Sequence, residues 1–293
     1  MGRSGGSAYC GALLFALAVA VGGASAQSIE PRPYSNVPVG VNFLLAGYGY
    51  VEGGVTRDPT LVAYFRALDV MGRSAKLGVL LSYAKLAADG DGTDQSSSEG
   101  SGLGDPKFAF TYNFYGAPAL GADEFASYRQ DLIVGVSLFV SAPWGQYNSS
   151  QQKNIGNNRW SFRPELGASK AWGPWIAELA AGVTFFTDNT DYLGGHTREQ
   201  DPVYYVHAHL IYNLPSGIWL ALDGIYIAGG RTTVDGVPND DLQQNSRLGA
   251  TVALPVNRRN SIKFSGSAGV TTRTGSAKNA VGVAWQYRWG GGL

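Results

Sequence analysis

The sequence has almost no cysteine and no long apolar run that could form a spanning helix. Its single cysteine, Cys10, lies in a stretch with Arg3, an apolar run over 12–21 and the small triplet Ala24-Ser25-Ala26. This pattern predicts a secretory signal peptide over 1–26, and hence a mature chain without a disulfide or a cysteine-bound metal. No later stretch approaches about 18 continuous apolar residues. Any membrane crossing must therefore be made by strands.

The chain also lacks net charge. Its 22 Lys and Arg residues balance 22 Asp and Glu residues, which argues against a nucleic-acid partner. What it has in abundance is glycine, with 41 residues, and aromatic side chains, which make up 12% of the chain. That composition favours a protein of many strands and turns.

Alternation of period two is clearest between Arg159 and Asp188. One face of this stretch is apolar and the other polar on both sides of the turn 171–174, which predicts a hairpin. Its arms run to about 12 residues, longer than the usual soluble strand of roughly 5–6. About 9–11 tilted residues suffice to cross a bilayer. Aromatic residues stand at both ends of the apolar face: Trp160 and Phe185 at one, Trp175 at the other. A transmembrane barrel hairpin explains these features, and a soluble β-sandwich is the alternative.

Twelve such strands follow one another along the chain. They are predicted at 39–52, 60–69, 76–87, 107–114, 131–143, 159–171, 175–188, 203–214, 217–229, 246–256, 261–273 and 280–289. The connections alternate between long loops and short turns, as in single-chain bacterial outer-membrane barrels, whose strand number is even. The sequence therefore predicts an all-β, twelve-stranded antiparallel transmembrane barrel over 39–293. An extended lead-in over 27–38, with part of it in the barrel mouth, should precede it.

Charged residues and histidines on the polar faces are the predicted lining of the pore. They are Arg66, Lys107, Arg163, Glu165, Glu178, His207, His209, Asp223, Arg247, Lys263, Arg273 and Arg288. Small residues such as Gly167 and Gly182 should keep part of the lumen open, and Tyr48, Tyr50, Tyr205 and Phe186 should offer stacking surfaces. In a soluble sandwich, the same charges would form the solvated face.

Two motifs resemble metal sites and are better explained otherwise. The loop 89–94 starts like a calcium loop but has Asp94 where glycine is needed and Gly100 where glutamate is needed. His207 and His209 share a face, yet no third ligand is indicated. No Gly-x-Ser-x-Gly elbow marks a hydrolase. We therefore expect no metal, no cofactor and no catalytic residue.

Several dispersed segments resemble one family of bacterial outer-membrane proteins. They are 113–120 (NFYGAPAL), 128–135 (YRQDLIVG), 158–167 (NRWSFRPELG), 182–188 (GVTFFTD) and 229–236 (GGRTTVDG). The family is named for the meta-cleavage pathway of phenol degradation, and its members are usually described as transporters. The resemblance implies a link to aromatic catabolism but none of that chemistry. The second strand is shorter than the resemblance leads us to expect.

The sequence as a whole predicts a channel in the outer membrane of a Gram-negative bacterium. It should take up small solutes passively, aromatic or hydrophobic ones among them, with a slight preference for anions from the basic excess on the polar faces. Its expected partners are membrane lipid, the solute and the outer-membrane assembly machinery, with no nucleic acid. A structural barrel or adhesin, and an outer-leaflet lipid-modifying enzyme, are the alternatives.

Overall fold

The structure, a computed structural model, describes residues 31–52, 55–88, 100–274 and 279–292. The predicted signal peptide and the calcium-like stretch 89–94 lie outside these residues. Eighteen strands and one short helix are present in the described part of the chain. In chain order they are β1 (Val41–Glu52), β2 (Val55–Arg57), β3 (Thr60–Val70), β4 (Arg73–Ala88), β5 (Gly100–Leu103), β6 (Lys107–Tyr115), α1 (Ala122–Phe125), β7 (Leu132–Ser141), β8 (Ser161–Trp172), β9 (Trp175–Phe186), β10 (Asn189–Tyr192), β11 (His196–Gln200), β12 (Val203–Asn213), β13 (Trp219–Gly229), β14 (Thr232–Val234), β15 (Val237–Pro238), β16 (Gln243–Pro255), β17 (Asn260–Thr272) and β18 (Asn279–Gly290).

Twelve long strands form one closed antiparallel barrel. They are β1, β3, β4, β6, β7, β8, β9, β12, β13, β16, β17 and β18, and each pairs with the next. The barrel closes where β18 pairs with β1, from Val41 opposite Gly290 to Glu52 opposite Asn279. All twelve predicted strands are therefore confirmed, to within a few residues at their ends. The short second strand is β3, which pairs with β1 on one side and along its full length with β4 on the other.

The connections separate by length, as predicted. The four long ones that follow β4, β7, β9 and β13 lie at one end of the barrel, here called the long-loop end. Two of them pair as a small four-stranded sheet, β10-β11-β14-β15. The opposite end, here called the short-turn end, carries the tight turns and one longer connection that contains α1. Both the segment before β1 and the end of β18 lie there.

The outward face of the barrel is apolar. Leu166, Leu179 and Leu222 are each more than half exposed there, a large exposure for side chains of this kind. Aromatic residues stand near both ends: Trp160, Phe185 and Tyr204 towards the long loops, and Trp175, Tyr212 and Trp289 towards the short turns. An exposed apolar belt between aromatic rows is the surface that a bilayer covers. Among the described residues, no helix combines the length and the apolarity needed to cross a membrane.

The inward face is divided into an apolar wall and a polar wall. The apolar wall is built on β1, β3 and β6, where Phe43, Leu61 and Phe65 belong to one buried cluster. The polar wall is the inward face from β8 to β16, where buried polar and charged side chains lie between two apolar clusters, one around Trp219 and one around Ile225. On β1, facing by polarity alone gives the wrong result: the apolar residues point inward, whereas Tyr48 and Tyr50 are exposed on the lipid side. These two tyrosines therefore provide no stacking surface in the lumen.

Candidate functional site in the barrel lumen

Residues 31–38, which lead into β1, lie inside the barrel. Tyr34 and Val37 are fully buried, and Asn36 is almost so. This segment is here called the plug. The barrel holds its backbone through side chains from two strands: Lys76 Nζ donates to the carbonyl oxygens of Pro33 at 2.6 Å and Ser35 at 2.9 Å, and Asn113 donates to the Tyr34 carbonyl at 2.9 Å. The plug is thus fixed by a buried ammonium and a buried amide, which donate hydrogen bonds to its carbonyl oxygens.

The Tyr34 ring rests on two glycines. Gly135 on β7 and Gly167 on β8 are directly opposite each other. A Cβ on Gly135 would stand 2.8 Å from Tyr34 Cδ1, and one on Gly167 would overlap the other edge of the ring. Only glycine leaves room for a ring so close to the strand backbone. The space that Gly167 was predicted to leave open is therefore filled, and the ring of Tyr205 covers Gly182 in the same way.

A chain of buried polar groups crosses the middle of the lumen. Glu165 accepts hydrogen bonds from the hydroxyls of Tyr34 at 2.7 Å and Tyr205 at 2.8 Å, and its Oε2 lies 3.1 Å from His207 Nε2. His207 Nδ1 and His209 Nε2 share a hydrogen bond at 2.9 Å. The carboxylate at the end of the chain is that of Asp223, 2.7 Å from His209 Nδ1.

This row of hydrogen-bonded groups also shows the role of the two histidines. Each imidazole has both ring nitrogens in hydrogen bonds, so the rings bind each other and two carboxylates rather than pointing to a common centre. In the described part of the chain, no three His, Cys, Asp or Glu side chains are placed to hold a metal ion. Thr251 completes the network by donating to Asp223 at 2.9 Å.

A second polar group lies below this chain, towards the short-turn end. Glu178 accepts hydrogen bonds from the Arg32 backbone N–H at 2.6 Å and from the Ser169 hydroxyl at 2.9 Å. The Arg32 side chain hydrogen bonds to Asn213, and its guanidinium carbon lies 5.0 Å from the centre of the Trp219 ring. Two plug residues, Arg32 and Tyr34, therefore each contact a buried carboxylate of the wall.

Basic side chains lie on the long-loop side of the chain. The guanidinium of Arg163 stacks on Phe139, 4.0 Å from the ring centre, and lies 5.7 Å from that of Tyr205. Arg247 donates to the Ser267 hydroxyl at 2.7 Å. Lys107 also faces inward, opposite Ser141 and two residues from the buried Ala109. The lumen therefore presents positive charge towards the long loops and paired carboxylates deeper inside.

Ten of the twelve side chains predicted to line the pore lie on inward faces. They are Lys107, Arg163, Glu165, Glu178, His207, His209, Asp223, Arg247, Lys263 and Arg288. Arg288 lies at the short-turn end, opposite the buried Phe43. Several of the ten, above all Glu165, Glu178 and Asp223, hold the plug or one another and are not open to solvent.

For the other two residues, Arg66 and Arg273, the prediction of an inward position is wrong. Arg66 is exposed on the outward face of β3, because inward positions on this strand are apolar and alternation places Arg66 between Phe65 and Ala67. Arg273 lies beyond β17 at the long-loop rim, where it contacts Gln244 and Asp240. A bulge in β17 shifts the register between the Gly269 and Thr271 pairs. One extra residue moves all later side chains to the opposite face.

Three functional features of the lumen were not predicted from the sequence. Lys76 and Asn113, which hold the plug, are polar residues on strands whose polar faces were predicted to point inward, and a search for every inward cation and amide would have found them. The Tyr34 seat on Gly135 and Gly167 depends on the pairing of β7 with β8. The apolar wall on β1 and β3 gives no signal that separates it from a lipid-facing surface.

Comparison with known proteins agrees with this architecture. The chain superposes on the COG4313 outer membrane channel from Pseudomonas putida F1 with a TM-score of 0.79 at 19% identity, covering 89% of this chain and all of that one. It also resembles the beta domain of the Bordetella autotransporter BrkA, with a TM-score of 0.51 at 13% identity over 86% of this chain and 100% of that chain. No curated protein sequence matches it.

At this identity, the two structures establish the fold alone. The sequence profile of the family described as "Putative MetA-pathway of phenol degradation" matches residues 47–286. That match runs from the first strand of the barrel to the last. The chain therefore belongs to this phenol-degradation MetA-pathway family and has the twelve-stranded fold of an outer-membrane barrel.

Proposed function

We propose that the protein is a channel in the outer membrane of a Gram-negative bacterium that admits small solutes, aromatic or hydrophobic ones among them, by passive diffusion. The observation that carries the proposal is the lumen of the closed barrel, where a wall that contains buried charged and polar side chains faces an apolar wall. Twelve strands lie between the eight that side chains can fill and the sixteen that leave a wide channel. The similar fold of a protein named as an outer membrane channel supports this assignment.

The plug limits the width of this channel. It occupies the lumen beside β4, β6, β7 and β8, where Lys76, Asn113 and Glu165 bind it. Small solutes must therefore pass beside the plug, or the plug must leave its seat. In this assignment the exposed apolar belt binds membrane lipid, the long loops face the exterior, and the barrel is inserted by the outer-membrane assembly machinery.

A conductance measurement tests the proposal. The mature protein, refolded and inserted in a planar bilayer, should show small channels, and deletion of residues 27–38 should enlarge them because the plug is removed from the lumen. Deletion of residues 27–30 alone is the matched control, since it shortens the same terminus and leaves the buried plug in place. Entry of a small phenolic solute into liposomes should follow the same order.

The result that rejects the proposal is equally specific. If neither the parent nor the variant without residues 27–38 conducts or admits solute, although both show the heat-dependent gel mobility of a folded barrel, the protein is not a channel. A structural barrel, or an adhesin that acts through its loops, would then be the better assignment. Modification of outer-leaflet lipid without conductance would instead indicate an enzyme.

A further inference from the structure

Arg163 is an inward-facing cation without an acceptor. Within the described part of the chain, its guanidinium makes no hydrogen bond and no ion pair, and its Nε is buried without a partner. Its contacts are the rings of Phe139 and Tyr205. A guanidinium carries five donors and usually satisfies them when it is removed from water. Here these donors are available to a ligand.

The nearby carboxylate attracts this arginine through its charge but accepts no hydrogen bond from it. Glu165 is two residues away on the same face of β8, yet its oxygens already accept hydrogen bonds from Tyr34 and Tyr205 and contact His207. Tyr205 contacts both charged residues: its hydroxyl donates a hydrogen bond to Glu165, and its ring lies beside the Arg163 guanidinium. Arg163 contributes its charge to this group, but the hydrogen bonds of Glu165 are complete without it.

The surface beside Arg163 is apolar. Phe139, on which the guanidinium stacks, also packs against the buried cluster of the apolar wall, together with Leu80. Arg163 and Phe139 are both half-buried and retain some contact with solvent. They lie on the long-loop side of Tyr34, so a solute that enters from that end reaches them before it reaches the plug. A second cation, Lys107, lies on the neighbouring strand β6, near the same ring.

We propose that Arg163, Phe139 and Tyr205 form a binding site for a small aromatic carboxylate. The carboxylate would take the free edge of the Arg163 guanidinium in two parallel hydrogen bonds, a geometry that favours arginine. The ring of the ligand would lie along Phe139 and the apolar wall. This proposal rests on the proposed channel function, because it names the class of solute that the lumen selects.

Both halves of such a ligand are needed at this place. A carboxylate without a ring would gain the guanidinium but leave the apolar surface next to it uncovered. A neutral ring would cover that surface but leave the donors of Arg163 without an acceptor, which is costly in a site partly removed from water. A ligand with both groups satisfies both requirements. Flat rings fit because Phe139 and Tyr205 flank the guanidinium with aromatic faces.

Direct binding to the purified, folded protein in detergent tests the site without any transport. Calorimetric titration should detect benzoate, and much weaker binding of benzyl alcohol, which lacks the charge, and of acetate, which lacks the ring. Arg163→Gln should weaken benzoate binding by about tenfold to hundredfold, the range expected for a lost hydrogen bond to a charged group. Phe139→Ala should weaken benzoate binding while leaving acetate binding unchanged.

Arg247→Gln is the matched control. It removes an inward positive charge from the same half of the lumen. The Nε of Arg247 is likewise buried without a partner, but this side chain hydrogen bonds to Ser267 and stacks on no ring of the site. Its affinity for benzoate should stay within about twofold of the parent, because Arg247 lies on β16, four strands from β8 in the barrel order, and a ligand on Phe139 loses no hydrogen bond to it. Equal losses in Arg163→Gln and Arg247→Gln would show a general attraction of anions and would overturn the site.

The outcomes also separate this inference from the proposed channel. A parent protein that conducts but binds benzoate no better than acetate retains the channel function and loses the site. A protein that binds benzoate through Arg163 but neither conducts nor admits solute retains the site as a receptor and loses the channel. Heat-dependent gel mobility, recorded for every variant, excludes misfolding as the cause of lost binding.

Discussion

At the scale of single residues, the contents of the lumen depend on pairs of residues that neighbouring strands bring together. The clearest is Gly135 opposite Gly167, on which the Tyr34 ring lies. Neither glycine has a positive φ, so backbone strain does not require them. What requires them is the ring, which takes the space of both Cβ atoms. A residue of the plug thus determines which residues two barrel strands can carry.

Gly167→Ala should therefore release the plug without unfolding the barrel. The added methyl group overlaps the Tyr34 ring and should weaken its seat by about 1–3 kcal/mol, the usual cost of overpacking. Ser35→Cys gives the readout, because Ser35 is buried in the plug and the predicted mature chain has no other cysteine. A water-soluble maleimide should label this cysteine faster, and channels should become larger.

Gly266→Ala is the control for that change. Gly266 is also a strand glycine, but a Cβ there meets nothing closer than the Ala280 carbonyl oxygen at 3.9 Å. Its maleimide labelling at Ser35→Cys should match the parent. Equal labelling in the Gly167→Ala and parent backgrounds would show that Tyr34 does not depend on the glycine seat.

At the scale of elements, the hairpin of β8 and β9 shows how one strand serves two environments. Along β8, Leu166 faces outward and is 56% exposed, while Glu165 on one side and Gly167 on the other are buried in the lumen. Successive side chains must alternate because the strand is pleated. The bulge in β17 interrupts this alternation, and Arg273, which follows it, therefore does not face the lumen.

Leu166→Arg should destabilise the barrel by about 2–4 kcal/mol, the cost of a cation on the lipid face near the middle of the membrane. Urea-induced unfolding in lipid vesicles, followed by tryptophan fluorescence, measures this change. Val256→Arg is the control, because Val256 is equally exposed but lies just beyond β16, at the short-turn end. There a cation should cost only about 0–1 kcal/mol. A similar loss in both variants would place Leu166 away from the bilayer core.

At the scale of the whole molecule, closure gives the fold its lumen. The first and last long strands, β1 and β18, pair in one continuous register, which leaves no open edge. This pairing is the one in the barrel that joins the two ends of the chain, and it is as extensive as those between sequence neighbours. An open sheet of the same strands would expose unpaired backbone groups to lipid, and this cost makes closure obligatory in a membrane.

A disulfide across the closing strands tests this register. Tyr50 and Val281 are direct partners and both face outward, so the double variant Tyr50→Cys/Val281→Cys should oxidise readily in the folded barrel. Direct partners have Cα atoms about 4.5–5.5 Å apart, within the range of a disulfide. In the control Tyr50→Cys/Val283→Cys, the diagonal partners are about 7–8 Å apart and should remain reduced. Preferential oxidation of the control would show a register shifted by two residues.

The sequence by itself determined the strands and their number. Alternation over long segments marked all twelve, because an outward lipid face and an inward wet face impose period two wherever both exist. The same reasoning placed Glu165, His207 and Asp223 inside. It also placed the four long loops at one end, because each follows an odd-numbered barrel strand and the chain returns to the same end after every second antiparallel strand.

Only the tertiary structure decided what fills the lumen. On β1, polarity indicates the wrong facing, because Asn42 and Tyr48 lie on the outward face whereas the apolar Phe43 points inward. The packing of the apolar wall determines this facing. The bulge that turns Arg273 away from the lumen is defined by the pairing of β17 with β16. Arg163 has no hydrogen-bond acceptor because Tyr34, from a segment distant in sequence, joins Tyr205 and His207 at Glu165. The local sequence determines the alternation along a strand, whereas residues distant in sequence determine which charged groups lack a hydrogen-bond partner.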